Sequence, residues 1–272
     1  MKRFLAIILA GLMLISLAAC GGKDEKGGTG AMDGFVEMDG FAQTLQNHYA
    51  EKHDIKRPDN KNYSNLSAAI LDLQNGNIDE LVCNKTTGEY ILAHNKGFEL
   101  LSEGRKKETN FSMMTMDSNK EVFDILNNAI VEMKADGTLD SLIENELKSY
   151  INSDSEAKDL PKFDGARTIK IGVTGDLPPM DFVAVNGKAA GFNIALLTEI
   201  ANRAQVNIEL VQIETGARPM ALSSNKVDAV FWTKSLKCSE CNETFVEEIK
   251  GTLVTESYFS ETNVGVALKS DK

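Results

Sequence analysis

The sequence is short of positive charge, of histidine and of cysteine. Its 272 residues hold 29 Lys and Arg against 40 Asp and Glu, a formal net charge of −11, with only 3 His and 4 Cys. A protein that binds a phosphate backbone needs clustered Lys and Arg to displace condensed counterions, so this balance argues against nucleic acid as the partner. His48, His53 and His94 are scattered over polar stretches, and no nucleophile, His and acid fall together in a pattern that suggests catalysis. Cys238-Ser239-Glu240-Cys241 is a single C-x-x-C with no second pair and no clustered His. In an exported chain it reads as a local disulfide or two free thiols rather than a zinc site, and no metal or cofactor is expected. Cys83 falls at a strand end and should be buried. Beyond the first twenty residues no apolar run approaches the length that spans a bilayer.

What is present is an ordinary globular composition, 42% hydrophobic and 25% charged, long enough for one large domain or two modest ones. Lys2 and Arg3 precede an apolar run from Phe4 to Leu17, the pattern of a secretory signal over residues 1–19. The run ends in Leu17-Ala18-Ala19-Cys20, which resembles the bacterial lipobox, so Cys20 is the expected site of lipidation. Residues 20–33 are rich in Gly and charge and read as a flexible tether. The expected location is the extracytoplasmic face of a cell membrane. A polar stretch with Pro161 at 152–165 reads as a linker between an α/β half at 34–151 and another at 166–272.

The half at 166–272 alternates strand and helix. Thr168 to Val173 and Asn207 to Ile213 read as strands, Asn193 to Arg203 and Arg218 to Ser223 as helices, and Val227 to Trp232 as a buried strand, a pattern that builds a parallel sheet flanked by helices. In the other half, Val122, Ile125, Leu126, Ile130 and Met133 recur at helical spacing until Ala135-Asp136-Gly137-Thr138 interrupts them. A weak repeat links the halves at an offset of 149: Leu73 over Leu222, Ile78 over Val227, Asp79 over Asp228. Each copy is a helix that stops, a turn, and a strand with Asp near its start. It implies two α/β lobes of similar plan.

Residues 168–203, with Asp176-Leu177-Pro178-Pro179-Met180-Asp181-Phe182 and Asn186-Gly187-Lys188, resemble the opening of the amino-acid type (family 3) of extracellular solute-binding proteins of ABC transporters. Ala221 to Trp232, the Ser257-Tyr258-Phe259-Ser260 segment with Val264 to Lys269, Gly76 to Val82, and Glu121 to Leu139 are similar to later parts of that family. The resemblance implies a two-lobe, type II periplasmic-binding-protein-like α/β fold, each lobe a mostly parallel sheet flanked by helices. It also implies a hinge near Ser260 to Lys269 and around Phe35, and a monomer that hands a small solute to an ABC permease in the membrane. Segments like the family's second lobe precede those like its first, the order a circular permutation produces, and termini meeting at the hinge would tolerate it.

In such a fold the ligand lies beyond the carboxyl ends of the strands. The candidates are therefore Met180 and Phe182, where the family places aromatics; Arg218, a forked donor for a carboxylate; Trp232 and Thr233 at the end of the repeat strand; and, in the other half, Phe41, Asn84 and Thr86. Asn84 stands where family members place an Asp for an ammonium, Gly40-Phe41 replaces a Gly-Thr pair, and the family's Thr-x-x-Arg is not visible in Thr233 to Glu240. These departures point away from a standard amino-acid zwitterion. A dehydratase-like enzyme on this scaffold would have Glu214, Lys234 or Asp39 as its nearest acid or base, and a degenerate interaction module is the third reading. The non-enzymatic one is preferred.

Overall fold

A computed structural model describes residues 33–36, 60–63, 66–101, 108–152, 159–238, 243–246 and 249–269. One half begins with β1 (Asp33–Val36), β2 (Asn60–Tyr63), α1 (Leu66–Gln74), β3 (Glu80–Asn84), α2 (Lys85–His94) and β4 (Phe98–Leu101). β1 lies between β2 and β3 and is parallel to both. Leu66, Ala69 and Leu73 recur on one face of α1 and close, with Ile78, Leu81, Ile91 and Phe98, the core of this half.

The chain continues through β5 (Glu108–Met116), α3 (Lys120–Asp136), α4 (Thr138–Ser141) and α5 (Lys148–Asn152). Then follow β6 (Thr168–Val173), the short strands β7 (Asp176–Leu177), β8 (Asp181–Val183) and β9 (Ala189–Ala190), α6 (Phe192–Ala204), β10 (Asn207–Gln212) and α7 (Arg218–Ser223). It ends with β11 (Ala229–Cys238), β12 (Glu243–Val246), β13 (Thr252–Val254) and β14 (Phe259–Leu268). β10, β6 and the start of β11 are parallel, and β5 joins β11 antiparallel. This sheet is covered on both faces. Phe111 and Met113 of β5 enter one core with Ile169, Ile171, Phe192 and Leu196, whereas Met114 enters another with Val230, Ala221 and Leu222. Each such side chain removed from water contributes about 1.5–3 kcal/mol.

β14 joins the two halves. Phe259–Thr262 pair with β5, and Asn263–Val266 pair with β3, so one strand passes directly from one sheet region into the other. The expected α/β class and the parallel centre of each half are present. The expected cut at 152–165 is not where the cores divide. Val122, Leu126, Ile130 and Met133 of α3, with Leu139, Leu147 and Ile151, bury against β6 and α6 of the C-terminal segment. A helix takes the side on which its apolar stripe finds a matching face, and contiguity in sequence does not decide it. The predicted break after α3 is real: Gly137 takes a left-handed φ of 79°, and Asp136 accepts a bond from Thr138 N at 2.9 Å.

Candidate functional site

Loops and side chains beyond the carboxyl ends of parallel strands are where an open α/β sheet can enclose a ligand. β11 pairs with β6 only at Ala229 and Val230, and then runs on past it. Against β5 its register shifts between Val230, opposite Met114, and Thr233, opposite Ser112. Phe231 and Trp232 thus stand against one residue, and the bulge puts Val230 and Thr233 on the same face. Along that face the apolar row Val230–Met114 is followed by a hydroxyl row, Thr233–Ser112, and then by Ser235–Asn110–Ser260 across three strands. Ser260 Oγ donates to Asn110 Oδ1 at 2.5 Å. Thr233 is 1% exposed, and its hydroxyl has no hydrogen-bond partner among the described residues.

Arg218 opens α7 on the same side of the sheet, since Ala221 and Leu222 of that helix pack with Met114 and Val230. It is only 3% exposed, and its Nη1 donates to the carbonyl of Phe231 at 2.8 Å. A bulge leaves backbone groups out of the ladder, and Arg218 supplies one of them with a charged donor. The expected carboxylate donor is thus a tie between α7 and the bulge of β11. Lys234, 9% exposed, is opposite Phe111 and therefore faces the other core. Glu214 is exposed.

Met180, expected at the ligand, is a core residue at 0% exposure among Ile171, Leu177 and Phe192. Its loop is organised by a neighbour that the sequence reading passed over. Asp181 Oδ1 accepts from Thr174 N, Thr174 Oγ1 and Gly175 N at 3.1, 2.6 and 2.7 Å, and Oδ2 accepts from Asn193 Nδ2 at 3.0 Å. The buried carboxylate ties the end of β6 to the start of α6, and burial beside it raises the carboxyl pKa of Asp176. Gly191 has φ 111°, and a Cβ there would come within 2.4 Å of the Met180 carbonyl, so only glycine lets α6 start this close. Phe182 is half-buried and meets Tyr150 edge to face at 6.2 Å.

In the other half, Asn84 ends β3 opposite Asn263 and is the N-cap of α2, with no capping bond from its side chain. Thr86 is not open to a ligand in the way expected. Its N–H and its hydroxyl both donate to the Glu261 carboxylate, at 2.8 and 3.1 Å. Glu261 is 7% exposed, and burial pushes its pKa up to about 7, against the pull of the two bonds from Thr86. It lies on β14, next to the point where that strand changes sheets. The signal in the sequence was an acid in the middle of Phe259–Leu268, a strand otherwise apolar or neutral.

Phe41, Cys20, Asp39 and Cys241 lie outside the described residues, as do the side chains of Trp232 and Cys238. Cys83 is buried at the end of β3, as expected. Among the described residues no group of three or more His, Cys, Asp or Glu could hold a metal ion, and no helix is long and apolar enough to cross a membrane. A cavity of about 520 Å³ lies away from these groups, at the C-terminal end of α2, lined by Leu92, His94, Phe98 and Lys269.

The strand plan, parallel strands flanked by helices in each half, is that of an α/β protein. Residues 169–237 match the family Bacterial extracellular solute-binding proteins, family 3. That segment runs from β6 through the bulge of β11, and so carries Arg218, Thr233 and the Asp181 loop. A sequence search of curated proteins returns no match. Among solved structures the chain is similar to the GluR0 ligand-binding core in complex with L-glutamate, with 12% identity, 91% of this chain and 87% of that chain covered, and a TM-score of 0.42. It is also similar to the ligand-binding component of an ABC-type import system from Staphylococcus aureus with zinc bound, at 8% identity, 88% and 65% coverage and a TM-score of 0.44. A third is the CcmR regulatory domain of Synechocystis PCC6803 in complex with 2-PG, at 7%, 89% and 88%, and 0.41. Those ligands belong to those proteins.

Proposed function

We propose that this chain is an extracytoplasmic solute-binding protein, anchored by lipid at Cys20 to the outer face of a cell membrane. It captures a small amino-acid-like or related polar solute between two lobes and presents it, as a monomer, to an ABC permease. The observation that carries the reading is the family 3 match over residues 169–237, the segment that carries the Asp181 loop, Arg218 and Thr233. β14, shared by both sheet regions, supports a hinge there. An inverted order of lobes accounts for the last strand joining β5 to β3. A solute that touches both lobes shifts the population toward a closed state by no more than its differential affinity for that state.

The test is thermal unfolding of the purified chain with amino acids, amines, short peptides, sugars and carboxamides. Binding to the folded state adds RT ln(1 + [L]/Kd), so one class raises the midpoint and the others do not. No rise with any of them overturns solute capture. Anchoring is read separately: the chain should partition with membranes, and Cys20→Ala should release it.

A further inference from the structure

β14 is common to both sheet regions, and its change of partner falls within a single step of the chain. Thr262 is the last residue opposite β5, and Asn263 is the first opposite β3. The flanking side chains divide in the same way: Phe259 belongs to the core with Phe111 and Ile151, and Val266 to the core with Leu81 and Ile91. Glu261 stands just before the change. Its buried carboxyl meets the N-terminus of α2, where Thr86 N and Thr86 Oγ1 lie at 2.8 and 3.1 Å. α2 packs through Ile91 in the second core, so this contact crosses from one core to the other. At the far end of the same helix His94 Nε2 lies 3.1 Å from the carbonyl of Ile151, a residue of the first core. The helix is thus strapped at both ends to the core it does not belong to.

The strap at Glu261 is complete while the carboxyl holds a proton. One oxygen then accepts from Thr86 N and the other donates to Thr86 Oγ1, since a threonine hydroxyl both donates and accepts. Ionised, Glu261 accepts both bonds at the helix N-terminus but holds a full charge out of water. Burial is the stronger influence and raises the carboxyl to about 7, against the Thr86 bonds and the charge of Lys85, while Glu89 of α2 adds to the rise. Lys234 of β11 is on the same face of the sheet, opposite Phe111; Glu80 of β3 lies over Gly265; Glu108 is opposite Thr262 and so on the reverse face. We propose that the Glu261–Thr86 contact is a proton-operated latch between the two cores, closed while Glu261 is protonated and released on ionisation, which lets the carboxyl reach water and frees the start of α2 from β14. An exposed carboxyl returns to the ordinary carboxylate range, so the released state gains as pH rises. The latch belongs to the fold itself and operates whether or not a solute is captured.

The experiment follows the backbone amides of the purified chain by NMR and by hydrogen exchange between about pH 5.5 and 8.5, with exchange rates corrected for their intrinsic pH dependence. The Thr86 amide shift should titrate with a midpoint near 7. Protection at Thr86, Thr87 and Asn263–Val266 should fall by about tenfold more across that range than protection at Ile169 and Ile171 of β6. Glu261→Gln keeps an acceptor for Thr86 N and a donor for Thr86 Oγ1, so it should abolish both changes and hold the latch closed at every pH. Thr86→Val removes a bond to the charged form and should move the midpoint seen at position 86 upward. Changes that persist in Glu261→Gln locate the titration elsewhere, His94 included, and overturn the latch. A midpoint near 4.5, one that Thr86→Val leaves in place, or protection that falls equally in β6 overturns it as well. Titration near 7 with no loss of protection leaves a raised acid and no release, and the proposal fails there too.

Discussion

The two helix–turn–strand units at an offset of 149 are built alike down to single hydrogen bonds, and then diverge within a few residues. In the first, Asn75 N, Gly76 N and Asn77 N donate to the carbonyls of Leu71, Leu73 and Asp72; in the second, Ser224 N, Asn225 N and Lys226 N donate to those of Met220, Leu222 and Ala221. Every donor and acceptor keeps the offset. Gly76 and Asn225 both take a left-handed φ, 70° and 55°. After the turn β3 stops at Asn84 and becomes α2 at once, whereas β11 runs ten residues through a bulge to Cys238. The shared part is what a strand needs in order to follow a short helix. The divergent part gives one half a helix start held by Glu261 and the other a bulge whose Phe231 carbonyl accepts from Arg218.

The largest effect that can break the comparison is in the cores. Leu73 and Leu222 are equivalent and fully buried, in separate clusters. Leu73→Ala and Leu222→Ala should each cost about 4 kcal/mol of unfolding free energy in urea, because each leaves a cavity as well as losing burial. Equal losses support two equivalent units; a loss below about 1 kcal/mol in one would mean that its cluster collapses freely around the gap.

Next is the feature that only the first unit has. Glu261 titrates at about 7 in the fold against 4.5 when exposed, with Lys85 and Glu89 of α2 as the charges around it. A raised acid binds its proton more tightly in the native state, so its stabilising contribution is complete below about pH 4.5. It is lost as pH rises through 7, by about 3 kcal/mol in all. Glu261→Gln should flatten that part of the stability–pH curve, measured by urea midpoints across the range. A curve equally steep in the variant would locate the titration elsewhere.

The parts of this molecule that follow a period were legible in the sequence. The stripe of α3, its stop at Gly137, the alternation of β6 and the repeat itself are local patterns, and each set its element. The partner of each element was not legible. The stripe on α3 states that it buries one face, but the apolar complement that receives it, on β6 and α6, is far along the chain. The same limit applied at the site. Thr233 and Arg218 could be placed after strands from local pattern alone, yet the Arg218–Phe231 bond depends on a bulge, and a one-residue shift of register has no compositional trace. Met180 shows the converse: its position in a motif suggested a ligand contact, and packing made it core.

A smaller effect tests the second unit's own device. Arg218→Met keeps most of the aliphatic bulk and removes the donor to the Phe231 carbonyl, which should cost about 2 kcal/mol, since a buried acceptor loses a charged partner. If the bond also holds the bulge in register, amide exchange should accelerate at Thr233 and Ser235 more than at Ile169 and Ile171. Uniform acceleration would make the contact one of general packing only.

The smallest effect returns to the turn that the two copies share. At Gly76 a Cβ would meet nothing within 4 Å, so Gly76→Ala has no steric partner to blame, and its cost is that of the left-handed backbone alone, about 1 kcal/mol. Gly76→Asn should cost less than Gly76→Ala, because Asn is the side chain that tolerates this conformation best and the second copy already uses it at Asn225. Asn225→Gly, the reverse exchange, should lie within about 0.5 kcal/mol of the parent chain. Urea midpoints of the three variants decide the matter. If Asn is as costly as Ala at position 76, the two turns have the same hydrogen bonds but not the same backbone tolerance, and the likeness between the units ends at the helix rather than at the strand.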